Sequence, residues 1–408
     1  MEITERHDEG DNDEDDEDAD ELDNDPRKKP RAPTRTASSE APVNMDILEG
    51  NVGDIVQAGG LQNFLISLHK GTGPIASFWI GTKLVVSIGK ADLFKTQSHV
   101  FDKPAELFML YRDVMGAGSI FFANGAEARK RRKLIDEVLR GKSLDRFLGS
   151  IEKAMIMHLK DTPDDEHVPV YKYMYALCMK ISTRLLFGEY FFNDMEVLKF
   201  SRNFELCIKE LEEIANGVVL DSNSPRTKKY EEAAKEMRML LTKALQKCKA
   251  GGDKALLANV LNDASVPEEQ AVDDCVTFAI KGYSLVSAMT WMLYFLATHP
   301  ELQDSIANEV KEAVDKTKGL SCQALLSMKF DASRFEDAPE DPLAFCPFGF
   351  AGKRQCPGQD LSILVMGVFL ATLCPVLKFH FVPDQVITPM SALITRPQDE
   401  VWVTIKRR

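Results

Sequence analysis

The sequence predicts a mainly α chain with a small β portion, an α+β fold. Two observations lead there. Most stretches between residues 59 and 374 place apolar side chains three and four apart, the period of one helix face. Alternating, β-branched runs are few and short, at IASFWIG (75–81), KLVVSIG (83–89) and VWVTIKR (401–407). A third observation sets the scale: 44% of the 408 residues are hydrophobic, enough for one large core or two fused ones.

Taken in order, GGLQNFLISLHK (59–70) sets Leu61, Phe64, Leu65 and Leu68 on one face of a short helix. The runs at 75–81 and 83–89 are separated by Gly81-Thr82, a hairpin signal. Residues 90–98 read as helix, and AEARKRRKLIDEVLR (126–140) as a basic helix. Helical periodicity continues over 143–160, 168–188, 194–216 and 228–250, the last ending before Gly251-Gly252. Residues 267–298 form a long, apolar helix stopped by His299-Pro300. The next helix, 300–317, has proline at its first position and an acid in its first turn. Residues after 318 read as loop up to Cys356, residues 359–374 as helix, and 401–407 as a closing strand.

The net charge of -13 is not spread along the chain. Residues 8–25 hold thirteen Asp/Glu and no Lys/Arg, which accounts for all of it. The folded part is therefore near neutral, with no charge bias toward nucleic acid. Residues 1–45 carry almost no large apolar side chains, and the acidic run gives way to Arg27, Lys28, Lys29, Arg31 and Arg35 among prolines. A disordered acidic and basic leader is expected there, with a folded domain over 46–408. The start is acidic, unlike a signal peptide. Residues 285–297 are too short to span a bilayer, and 361–377 are broken by Pro375, so both are expected to be buried core helices. The eight cysteines are irregularly spaced and form no Cys-x-x-Cys, which predicts reduced thiols in a cytoplasmic setting. The seven histidines do not cluster with them, against a zinc site.

One cysteine sits in an unusual setting. FGFAGKRQCPG (348–358) surrounds Cys356 with glycines and a Lys353-Arg354 pair, directly before an apolar helix. Cations and backbone N–H groups favour a thiolate, a good ligand for a soft or borderline metal. Gly352 and Gly358 let the backbone approach the sulfur, and the helix starting near Gln359 aims its positive end at it. An ordinary free thiol is an equal alternative on these residues alone. A nucleophile is a third, but no histidine lies nearby in sequence to serve as its base.

Gly352-x-Arg354-x-Cys356-x-Gly358 resembles the haem-binding loop of the cytochrome P-450 haem-thiolate monooxygenases, in which this cysteine is the axial ligand of haem iron. Gly349, between Phe348 and Phe350, takes the place of the family's phenylalanine, and this departure is most similar to the family-20 branch. Further similar segments follow in the family's order: PIASFWIG to KLVVSIGKADLFK (74–95), WMLYFLATHPELQDSIANEV (291–310), and KFDASRF (329–335), with Ala332 in place of a proline. RKRRK (129–133) resembles the helix that holds haem propionates; Arg132 is the positional match, and Ala128 stands where a tryptophan is usual. The resemblance, which runs from about residue 50 to 405, implies a cytochrome P-450-like fold and haem b as cofactor. It implies Cys356 as the iron ligand, and Arg354, Arg132, Phe350, Gly352 and Gly358 as cofactor-binding residues. It implies O₂ and a small lipophilic substrate as reactants and an NADPH-dependent reductase as electron donor. Attachment to the endoplasmic reticulum membrane from the cytoplasmic face is implied as well, though no anchor is visible in the sequence.

Two departures bear on mechanism. The family's acid and threonine on the central helix fall on Tyr283 and Ser284, leaving Ser284 as the candidate catalytic hydroxyl. Lys281 replaces a small residue, and its stem is expected to snorkel to an edge. Secondly, only 38 positions separate Lys318 from Cys356, where the family fits a Glu-x-x-Arg helix, several strands and a meander. The sole Glu-x-x-Arg here is Glu137 to Arg140, in the basic helix. A block is therefore expected to be missing near 329–330, so that the fold would be incomplete. The competing expectation is a non-catalytic or weakly haem-binding homologue serving as an interaction scaffold.

Overall fold

The computed structural model describes residues 50–408 except 98, 105–107, 109–110, 161, 163, 216–217, 219, 252–254, 259–265, 329–342, 344, 351 and 392. The expected leader and the KFDASRF segment, 329–335, lie outside the described residues. Helices α1 (Val52–Gln57) and α2 (Leu61–Thr72) lead into an antiparallel hairpin, β1 (Ile75–Ile80) and β2 (Lys83–Ile88), with Ile80 opposite Lys83. Gly81 in its turn has φ 57°, the left-handed backbone a two-residue hairpin favours. Short helices α3 (Ala91–Gln97) and α4 (Arg112–Met115) precede the basic helix α5 (Gly125–Leu139).

The α-rich body follows. It contains α6 (Leu148–Lys160), strand β3 (Glu166–Pro169), α7 (Val170–Phe187), α8 (Asp194–Ala215) and α9 (Pro225–Lys249). Next come α10 (Glu268–Thr298), α11 (Pro300–Thr317) and α12 (Cys322–Ser327). Helix α13 (Gln359–Leu373) and strands β4 (Leu377–Phe381), β5 (Pro389–Ser391), β6 (Thr395–Pro397) and β7 (Trp402–Arg407) complete the chain.

The expected α+β class is observed, with differences at four places. The helix expected over 143–160 opens as a tight 3₁₀ turn, Gly141–Phe147. The one expected over 168–188 yields its first residues to β3, whose partner β7 lies more than 200 residues away in sequence. The stretch expected as loop after 318 contains α12, whose Ser321 hydroxyl caps it by accepting from the Ala324 N–H at 3.0 Å. Strand β4, LKFHF, alternates over five residues and was missed in the sequence, whereas β5 and β6, of three residues each, are too short to carry a pattern.

Helices α7 and α10 pack most extensively and form the spine of the core. They approach closely at Gly282, where a Cβ would meet the Ser182 hydroxyl at 3.3 Å. Beside it, the hydroxyls of Tyr171 and Tyr283 are hydrogen-bonded, and Phe204 of α8 packs edge-on against Tyr283. The alternation expected for β7 is present: Val403 and Ile405 are fully buried between β3 and β4, while Trp402 faces out. Segments 285–297 and 361–373 lie within α10 and α13, and no described helix is long and apolar enough to cross a membrane.

Gln303, almost wholly buried, joins α10, α11 and β4. Its amide donates to the carbonyls of Leu296 (2.6 Å) and Phe379 (2.8 Å) and accepts from the Phe379 N–H (2.8 Å). Gln303→Ala takes this side-chain partner from both backbone groups of the buried Phe379, while the Leu296 carbonyl keeps the His299 N–H. It is expected to destabilise the fold by about 3 kcal/mol, read as a lowered urea midpoint with an unchanged slope.

Candidate functional site

The loop before α13 is shaped by its glycines. Gly349 has φ 84° and donates to the Cys346 carbonyl at 2.9 Å, turning the chain back so that the Cys356 N–H reaches the Phe348 carbonyl at 2.8 Å. The left-handed backbone at 349 favours glycine and disfavours the phenylalanine it replaces. Gly352, at φ 39°, opens a one-turn 3₁₀ helix through Arg354. Gly358 caps α13, and a Cβ there would lie 4.0 Å from the Cys356 sulfur. The N-terminus of a largely apolar, 15-residue helix thus begins beside that sulfur.

Two arginines clamp this loop to the segment before α5 and to α5 itself. Arg354 donates to the carbonyls of Phe101 and Ala123, both at 2.7 Å, and its guanidinium stacks 4.1 Å from the Phe101 ring. Arg132, nearly buried, donates to the Gln355 carbonyl and pairs with Asp136 at 3.1 Å. Burial and the charge of Arg132 lower the pKa of Arg354 from its ordinary value.

Behind the loop lies a cavity of about 490 Å³, within the range of small-molecule sites. The cysteine loop contributes Phe348, Cys356 and Gly358; α10 contributes Thr277, Lys281 and Ser284. Apolar side chains from α5, α7 and α13, such as Ile135, Leu185 and Leu361, form most of the remaining wall. Among the described residues four cations border it, Lys103, Arg132, Lys281 and Arg354, and no Asp or Glu does. The Lys103 ammonium lies 4.2 Å and that of Lys281 4.4 Å from the centre of the same Phe121 ring. Burial, then the charges of Arg354, Lys281 and Arg132, lower the Lys103 pKa to about 8. Lys281 is likewise lowered by burial; it borders the open cavity, yet protein crowds it on its other sides.

Of the residues singled out from the sequence, Cys356, Arg354, Arg132, Gly358 and Ser284 share this cavity. Phe350 and Gly352 are not among its lining: Phe350 stacks on Phe94 of α3 at 4.7 Å and anchors the loop from outside. Lys281, expected to run to an edge, borders the cavity instead. Tyr283, at the position of the family's acid, is buried against Tyr171 and lies outside the lining. Sequence reasoning missed Lys103 and Thr277. Neither belongs to a motif; Lys103 reaches the cavity because Asn124 fixes its backbone (Lys103 N–H to Asn124 Oδ1, 2.9 Å).

Among the described residues, no group of three His, Cys, Asp or Glu side chains could hold a metal ion. A lone thiol, an apolar slot and an excess of cations with no carboxylate suit an iron porphyrin with two acidic side chains. The fold and site define a haem-thiolate class of protein.

The chain belongs to the cytochrome P-450 family: the family model Cytochrome P-450 matches it over residues 45–330 and 327–403. It is 25% identical to Cytochrome P-450 20A1 of Mus musculus, over 88% of this chain and 91% of the relative. With Cytochrome P-450 20A1 of Rattus norvegicus the identity is 26%, over the same shares. The structure of retinoic acid-bound cyanobacterial CYP120A1 has the same fold, with a TM-score of 0.73 at 18% identity, covering 88% of this chain and 97% of that one. The family's activity is haem-thiolate monooxygenation in general, and haem b is the cofactor that family and fold imply.

Proposed function

We propose that this chain binds haem b through Cys356 and inserts one oxygen atom of O₂ into a small lipophilic substrate, with electrons from an NADPH-dependent reductase. The observation that carries the reading is the cavity: a single thiol, apolar walls and four cations with no carboxylate among the lining residues. Bound haem supplies the O₂ chemistry, which a thiolate ligand promotes by pushing electron density toward O–O cleavage. Cys356 is the iron ligand, set between the basic loop and the start of α13. Arg132 and Arg354 meet propionates, while Gly358 leaves room beside the sulfur and Phe350 and Gly352 hold the loop's shape. Apolar groups of α7 and α13 exclude water. The Ser284 hydroxyl, on the wall formed by α10, would donate a hydrogen bond to a molecule held in the cavity. Exposed apolar residues of α1 and α2, Val56, Leu61 and Ile66, support peripheral contact with the endoplasmic reticulum membrane.

A second reading, a homologue that holds haem weakly and serves as a scaffold, rests on the short connection between α12 and the cysteine loop. The two family-model matches meet at residues 327–330, where a missing block is expected. The mouse alignment runs over 428 positions, more than the 408 residues of this chain, so it opens gaps in it. The β1–β2 sheet has two strands among the described residues and leaves Ile75, Leu84 and Val86 more than half exposed, as a sheet lacking further strands would.

Turnover separates the two readings. The haem-loaded chain, given a reductase and NADPH, is expected to convert lipophilic substrates to products carrying one added oxygen atom. Haem binding without NADPH-dependent product across a broad apolar panel would favour the scaffold. An in-frame exon between Lys329 and Phe330 in the transcript would identify the present chain as the shorter form.

A further inference from the structure

The cavity carries more positive charge than its cofactor uses. A ferric porphyrin with a thiolate ligand is neutral at its core, and its two propionates add two negative charges. Of the four cations on the lining, only Arg132 has a carboxylate within ion-pair distance, Asp136 at 3.1 Å. Lys103, Lys281 and Arg354 have none among the described residues, so the lining carries one positive charge more than Asp136 and two propionates neutralise.

The surplus falls on Lys281. Arg354 is tied to the segment before α5 through the Phe101 and Ala123 carbonyls, and the Lys103 ammonium donates to the Phe121 carbonyl at 3.4 Å. Lys281 instead stands on the α10 wall, four residues after Thr277 and three before Ser284, both of which line the cavity. The lining it shares includes the apolar side chains of Leu185, Leu186 and Leu285. Its ammonium faces the Phe121 ring at 4.4 Å, and no described carboxylate pairs with it.

We propose that Lys281 is a specificity-determining residue that pairs with the carboxylate of an otherwise apolar substrate held against α7 and α10. This deepens the monooxygenase reading and rests on it. The pair would form on the apolar wall of the cavity, so removing the lysine removes the counter-ion of the carboxylate. The Ser182 hydroxyl, also on the lining, can accept or donate beside the carboxylate.

The test uses the full haem-loaded ferric chain, titrated with dodecanoic acid, its methyl ester and dodecan-1-ol, and read as the shift of the Soret band. The acid is expected to bind about tenfold or more tightly than the alcohol or the ester. Lys281→Met is expected to abolish that preference, Lys281→Arg to keep it, and both variants to retain the carbon monoxide band of the haem-thiolate. Equal binding of acid and alcohol, no binding of the acid, or a preference that survives in Lys281→Met overturns the inference alone. So does a resting spectrum typical of an amine on ferric iron that disappears in Lys281→Met, which would put the lysine nitrogen on the metal. Absence of any Soret band overturns the haem reading itself, and this inference with it.

Discussion

Asp274→Ala is expected to destabilise the protein by about 3 kcal/mol, because it leaves the buried Arg131 with only the exposed Glu127, at 2.9 Å, as a carboxylate partner. Asp274 and Arg131 are both almost fully buried, and Nη2 of Arg131 lies 2.5 Å from each carboxylate oxygen. The carboxylate also accepts from the Ile120 N–H at 2.7 Å, and Arg131 donates to the Gly118 carbonyl at 3.1 Å. Next to it, Asp273 pairs with Arg238 and accepts from the Gly118 N–H at 2.9 Å. The loop from Gly116 to Phe121 is thus wrapped around two acids of α10. Gly116 must be glycine there: its φ is 84°, and any Cβ would overlap the Asp273 carboxylate.

The pair does not stabilise the fold simply by existing. Burial raises the Asp274 pKa above the ordinary range, despite the opposing pull of Arg131. A carboxyl whose folded pKa is raised binds a proton more readily in the folded state. Its contribution therefore falls as pH rises from the ordinary carboxylate range through the folded value. The network's role is positional: it fixes Ile120 and Phe121, which wall the cavity, and orients α5, which carries Arg132. Converting both partners, Arg131→Met with Asp274→Leu, is accordingly expected to recover much of the loss of Asp274→Ala. Chemical denaturation of the three variants measures this. A double variant as unstable as the single one would show that the loss comes from packing and not from the arginine's lost partner.

The parts legible in the sequence were those whose signal is local. The limits of α10 were set by its apolar length and His299-Pro300, the hairpin by Gly81, and the edges of β7 by strict alternation. The cysteine loop was legible because its glycines, arginine and cysteine act within eleven residues. Strand β3 was not, because EHVP becomes a strand only against β7, a partner far off in sequence. Lys281 was misjudged for a related reason. A lysine in an apolar helix normally finds an edge, and only the packing of α7, α10 and the Phe121 segment around the cavity shows that it does not. The Asp273 and Asp274 network was equally hidden: two acids at the start of an apolar helix look solvated until a loop some 150 residues earlier closes over them.

Cys356→Ala is expected to have the largest effect on the site. No other cysteine borders the cavity, and burial pushes the thiols of Cys178, Cys207, Cys275 and Cys374 upward in pKa, so none can supply a replacement thiolate. The loop should still form, because its turns depend on Gly349, Gly352 and the two arginines and not on sulfur. The most direct measurement is the spectrum of the reduced, haem-loaded full chain under carbon monoxide, beside that of Cys356→Ala. The red-shifted Soret band of a thiolate-ligated haem is expected in the first and should be absent in the second. A band of the unshifted, non-thiolate kind in both, or the shifted band persisting in Cys356→Ala, would contradict the assignment of Cys356 as the iron ligand.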